Sequence, residues 1–166
     1  WRRPSRRALA LAVAVAIGSS VARWRVLRRV RDMGCDLLPT LIHPAATIGA
    51  RVTLGDGSLV YPGAAIDPDV YLGNGVLVNK CATVGHDAVI GDCVTLGPGT
   101  NIGGATAIGT GCEFGIGSAA VQGLSVGEWS IIGAGAVVIR DLPGDVTAVG
   151  VPAKVIKERE PGWQME

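Results

Sequence analysis

From Ile42 to Val138 an apolar residue returns at every sixth position, and the register never slips. Seventeen positions fall on it; sixteen carry a large side chain and only Ala120 is small. Four residues behind each runs a second, small or apolar series, from Ala46 and Val52 to Ser130 and Ala136. A glycine usually follows the large residue, as at Gly49, Gly85, Gly103 and Gly133. An α-helix repeats at 3.6 residues and a half-buried strand at two, so neither carries a strict six. Six residues make one short flat strand and a corner, and three such units close a triangular coil of about 18 residues. Coils stacked ~4.8 Å apart would turn the large series inward, with glycine or asparagine easing the corners. Each inward Ile, Leu or Val then contributes roughly 1.5–3 kcal/mol of burial as an upper estimate. No coil buries its own faces, so only the array is stable. An aromatic content of 4% suits a prism too narrow for large rings. The spacing predicts a mainly β chain wound as a parallel β-helix over residues 41–156.

Charge is uneven although the net is only +1. Nine arginines lie in residues 1–31, whereas Leu41 to Gly150 holds three bases against nine acids. The basic end lacks interleaved aromatics, so no nucleic-acid partner is expected. Residues 8–17 form an apolar run too short to span a bilayer, and no membrane association is expected. With arginines before it and Ser-Ser-Val-Ala after it, the run imitates a secretory signal. The favoured reading is a buried strand ending at Gly18, then a helix from Ser20 as N-cap to Met33, stopped by Gly34. Ala22, Val26, Val30 and Met33 would form its apolar stripe, with Leu27 beside it and Arg23 snorkelling at the border. Cys35, Cys81, Cys93 and Cys112 form no CxxC pair, which suits free thiols in the cytoplasm. Beyond Val138 the period stops, Asp141–Gly144 reads as a turn, and residues 155–166 are polar, frayed or a short helix, with 157–166 as the C-terminal tail.

Two histidines are present. His43 precedes Pro44 in the first coil and reads as a structural entry residue. His86 lies two residues after inward Val84, so it faces outward at a corner with Asp87 next to it. A histidine titrates near neutrality, and a neighbouring carboxylate fixes its tautomer and raises its basicity. That pair suits removal of a proton from an attacking amine or hydroxyl. No metal set is present: a zinc site of the kind used for carbonic anhydration needs three histidines.

The repeat resembles the hexapeptide acyltransferases, whose β-helix is left-handed. Asn79-Lys80-Cys81-Ala82-Thr83-Val84-Gly85-His86-Asp87-Ala88-Val89-Ile90-Gly91-Asp92 resembles the active-site coil of the NeuD/PglD-like sugar acetyltransferases. Val15-Ala16-Ile17-Gly18-Ser19-Ser20, the arginine-rich helix and Leu41-Ile42-His43-Pro44 resemble the second half of the small sugar-nucleotide-binding domain that precedes their β-helix. Residues 1–40 thus read as a truncated N-terminal α/β segment. The glycine-rich first half is absent and the chain opens on Trp1, as a fragment would. Weak acceptor binding with normal acetyl-CoA binding is the expectation. Gly150-Val151-Pro152-Ala153-Lys154 resembles the tail that borders their coenzyme A site.

The resemblance implies transfer of an acetyl group from acetyl-CoA to an amino or hydroxyl group of a sugar or nucleotide sugar, by direct attack on the thioester. It implies His86 as general base, Asp87 as its partner and Asn79 on the acceptor side. Gly104, Ile116 and Ala134 are implied as coenzyme contacts through backbone. Some relatives carry a second histidine where this chain has Thr95, whose hydroxyl would donate a hydrogen bond near the acetyl group. A homotrimer with the site between neighbouring prisms is also implied. The alternative is a β-helix that has become structural or regulatory and lost catalysis.

Overall fold

The computed structural model describes residues 12–35 and 38–165. Strands of two residues recur every six residues from Leu41–Ile42 to Val137–Val138, and each pairs in parallel with the strand one coil on. Leu41 lies opposite Leu59, Thr95 opposite Glu113, and Thr83 opposite Asn101. Residues stacked on one another are therefore 18 apart in sequence. Three sheets result, here called faces A, B and C in chain order, with eight, six and five strands. Face A begins at Leu41, face B at Thr47 and face C at Thr53. The expected mainly β parallel solenoid is what the residues form.

The six-residue series fills the core from Val60 to Val138. Ile42 is 45% exposed, and Ile48 and Leu54 are half-buried, because among the described residues no coil lies beneath the first. Polar members of the second series are buried without orphaned hydroxyls. Ser58, Thr100, Ser118 and Ser130 donate to the carbonyls of Gly73, Gly115, Gly115 and Pro143. A buried hydroxyl without such an acceptor would cost ~1–3 kcal/mol.

The corners differ from expectation. The glycines after the large residues are not in the left-handed region. Crowding requires them instead: a Cβ on Gly85 would lie 2.5 Å from the Gly104 nitrogen one coil on. The positive φ angles fall three residues after each large residue, at every sixth position from Arg51 (58°) to Gly135 (67°). Several of these are not glycine, among them Asp69, Cys81, Asp87, Cys93 and Trp129.

Helix α1 spans Ser20–Asp32, ending one residue before the expected Met33, and its N-cap is Ser19, not the expected Ser20, because the Ser19 hydroxyl accepts the Ala22 N–H. Gly34 ends it as anticipated, at φ 78°, with Cys35 and Gly34 donating to the Val30 and Arg31 carbonyls. No strand forms within 12–17, and residues 8–11 of the expected strand lie outside the described residues. The apolar stripe is also rotated. Ser20, Arg23 and Leu27 are buried, whereas Met33 is 77% exposed. Leu27 lies over Gly57 and Gly75, two stacked residues of the corner between faces C and A. Their missing side chains let the helix approach. Trp24 meets Trp129 edge-on at 5.5 Å, and the Arg28 guanidinium lies 4.7 Å over Trp24.

At the other end Val146–Val149 extends face A, and Lys154–Glu158 pairs antiparallel to it. The stretch after residue 155, expected to fray, is thus a strand to Glu158; Trp163–Met165 form a 3-10 turn. No helix among the described residues is long and apolar enough to cross a membrane.

Candidate active site

His86 and Asp87 occupy the corner between faces B and C. The strand Thr83–Val84 brings the chain to this corner, and Asp87 takes φ 58° to turn it. That turn folds the carboxylate back onto its neighbour. Asp87 Oδ2 lies 2.7 Å from His86 Nδ1. In the neutral ring Nδ1–H donates to the carboxylate, which leaves Nε2 as the free base. Both side chains stand about two-thirds exposed. The Asp87 hydrogen bond, then its charge, raise the His86 pKa above the ordinary histidine value. The geometry is that of an oriented general base open to a substrate. Gly104 stacks directly on this residue, one coil on.

The other expected site residues gather elsewhere. Asn79, Thr95, Ile116 and Ala134 line a cleft of about 350 Å³ on face A and the corner between faces A and B. Asn79 Oδ1 accepts the Lys80 backbone N–H, which leaves its amide NH2 as the group able to bind a ligand. Ile116 is 66% exposed at the cleft. Six residues at ~3.3 Å put one corner up to ~20 Å from the next. A single chain thus places His86, Asp87 and Gly104 on one corner and the cleft on another.

Thr95 does not keep a free donor. Its hydroxyl donates to the Gly18 carbonyl at 2.9 Å and accepts from Arg23 Nη2 at 2.8 Å and from Ser20 Oγ at 3.0 Å. The expected hydrogen bond toward an acetyl group is replaced by a junction with the N-terminal segment.

Arg23 is the centre of that junction, and it does not snorkel. It is fully buried, with Nε on the Gly75 carbonyl, Nη1 on those of Ile17 and Gly18, and Nη2 on those of Cys93 and Val94. Burial pulls its pKa down, opposed by the nearby Cys93 and Glu113. Glu113, also in the cleft lining, accepts the Ser20 backbone N–H at 2.5 Å and so sits at the N-terminus of α1. Neither role was visible in the sequence, because 93 residues separate Ser20 from Glu113 and no spacing links them. Burial pushes the Cys93 thiol up to about 11 and Cys112 to about 12. Both stay protonated near neutral pH, so neither serves as a nucleophile.

No protein-family profile and no curated sequence matches the chain. Solved structures do. PerB from Caulobacter crescentus, in complex with CoA and GDP-perosamine, is 39% identical over 87% of this chain and 69% of that one, with a TM-score of 0.84; a perosamine N-acetyltransferase variant from the same organism is 38% identical over the same shares. This chain belongs to the hexapeptide-repeat sugar acetyltransferases. Within this family the acetyltransferase domain of PglB from Neisseria gonorrhoeae, in complex with acetyl coenzyme A, is 36% identical over 87% of this chain and 70% of that one, again at TM-score 0.84. WeeI from Acinetobacter baumannii is 31% identical over the same shares, at 0.71.

Proposed function

We propose that the chain moves the acetyl group of acetyl-CoA to an amino group of a nucleotide sugar, with His86 as general base. The observation that carries this is the His86–Asp87 pair, an exposed imidazole held through Nδ1 at 2.7 Å in a member of this family. The acceptor amine attacks the thioester carbonyl. A C–N bond forms, Nε2 takes the amine proton, and the C–S bond breaks to release the CoA thiolate. Asp87 stabilises the imidazolium that results. Asn79 faces the acceptor, and Ile116 and Ala134 border the pantetheine arm. An amino acceptor is preferred to a hydroxyl because the perosamine enzyme that this chain resembles is an N-acetyltransferase. Purified protein given acetyl-CoA and a panel of amino sugars on nucleotide carriers should release CoA with at least one of them; the hydroxyl analogues should be poorer. No transfer to any acceptor, with acetyl-CoA bound, would favour the structural β-helix.

We further propose that the working unit is a homotrimer. Reacting atoms must come within ~3.5 Å, whereas the base and the cleft lie on different corners of one prism. A neighbouring prism can bring its His86 to this chain's cleft. Light scattering should give three chains per particle. Mixing His86→Ala protein with Ala134→Trp protein, each inactive, should restore part of the activity; a fully active monomer would overturn the arrangement. A cytoplasmic location goes with this reading, since the free thiols of Cys81, Cys93 and Cys112 suit a reducing compartment.

A further inference from the structure

The base is held on one side by Asp87 and on a second side by a residue with no side chain. A Cβ built on Gly104 would lie 2.9 Å from His86 Nε2, 3.0 Å from Cε1 and 3.1 Å from Cδ2. Three ring atoms at nearly equal distances mean that the imidazole lies across the Gly104 Cα. The three distances are tighter than van der Waals contact, and the closest is to the atom that takes the proton.

The backbone around Gly104 cannot retreat easily. Ala105 donates to the His86 carbonyl at 2.7 Å, and Gly123 donates to the Gly104 carbonyl at 2.9 Å. Asp87 is tied from the other side by donating to the Pro68 carbonyl at 3.2 Å. The backbone conformation itself tolerates a side chain, since Gly104 lies outside the left-handed region. A methyl there would leave the fold intact and push the ring, because a two-thirds exposed side chain yields before a clamped turn does.

We infer that Gly104 is a positioning residue for the general base: its bare Cα is the seat that fixes the His86 ring plane and keeps Nε2 open. The kinetic part of this rests on His86 being the base; the seat itself does not. The charged groups facing the ring are Asp87 beside it and Asp67 on the preceding coil, while the coil carrying Gly104 and Ala105 presents none.

The test is Gly104→Ala, read in two ways. The chain has only two histidines, so an NMR titration of ligand-free protein resolves His86 once His43→Gln assigns the other. In the variant the His86 titration should move back toward the ordinary histidine value as the ring leaves Asp87. The rate of acetyl transfer should fall at least about tenfold, within the range a general base supplies, with the melting temperature kept. Ala105→Gly, on the same turn but off the ring, should leave both readouts near wild type. An unchanged His86 titration in Gly104→Ala would overturn the seat, even if the rate fell, because the loss would then lie in coenzyme contact. A moved titration with an unchanged rate would overturn its link to catalysis. Should the wild type transfer no acetyl group at all, the proposed function fails, and the titration still decides the seat.

Discussion

Two corners of the prism use the same backbone turn for opposite ends. Between faces C and A the stacked positive-φ residues are Gly57, Gly75, Cys93, Gly111 and Trp129. They are small until the last, and α1 covers them. Between faces B and C the same positions hold Arg51, Asp69, Asp87, Ala105 and Gly123. Among the described residues nothing covers those, and three of the five carry charge. The hexad fixes the turn, while the residue placed on it decides whether the corner is a groove for a helix or a platform for chemistry. Arg23 and His86 show the difference most sharply. The first is wholly enclosed and has every donor committed to protein acceptors. The second keeps one ring nitrogen free.

The largest effect should follow from emptying the exposed corner. His86→Ala should lower kcat by ~10²–10⁴-fold while acetyl-CoA affinity, measured by calorimetry, stays near wild type. A loss of only a few-fold would show that the open corner is not where the proton goes.

Emptying the covered corner should cost stability instead of rate. Arg23→Met takes the donor from the buried carbonyls of Gly75 and Cys93, while that of Val94 keeps the Leu77 N–H. Breaking a buried charged network typically costs on the order of 3–5 kcal/mol. Denaturant unfolding should show that loss, with α1 released first in hydrogen exchange. Unchanged stability would mean that Leu27 and Trp24 hold the helix without it.

Asp87→Asn should act between these. Asp87 raises the His86 pKa, first by its hydrogen bond and then by its charge. The base works when neutral, so the wild-type rate should climb with pH through a value above the ordinary histidine range. Removing the carboxylate should shift that acid limb to lower pH and reduce the plateau less than His86→Ala does. The same shift makes a small stability contribution that is present at low pH and fades as pH rises through the folded pKa. An acid limb that stays in place would detach Asp87 from the base.

The smallest effect belongs to the charged pair lower on the same corner. Arg51 and Asp69 form two hydrogen bonds, at 2.6 and 2.5 Å, on the surface, with side chains 71% and 39% exposed. Solvent screens such a pair, so Arg51→Ala should leave the melting temperature and the acid limb within measurement error. A clear shift in the limb would show that this corner works as one electrostatic column.

The two corners were not equally legible. The six-residue period gave the faces, the core and the outward placement of His86 and Asp87, because each depends only on the position within a hexad. The helix was found through its caps, but its buried face was misplaced. A stripe drawn through Ala22, Val26 and Met33 assumes that apolar residues face inward, whereas a ring of carbonyls drew Arg23 in. Thr95 was read through a resemblance and is held by Gly18, Ser20 and Arg23, contacts that hexad position does not reveal. Gly104 was within reach, since it is 18 residues from His86. The conformation of the ring above it was not.

That 18-residue recurrence makes the chain a ruler with two scales. Deleting one hexad, for example residues 88–93, would leave every later large residue pointing inward and the core filled. It would also turn all that follows by one face, so that Thr110 and not Gly104 would lie over His86. Deleting 18 residues would restore the faces but choose new neighbours. Insertions and deletions that the core cannot sense would therefore dismantle the His86 corner, and a working chain should tolerate length changes only where they leave its neighbours in place.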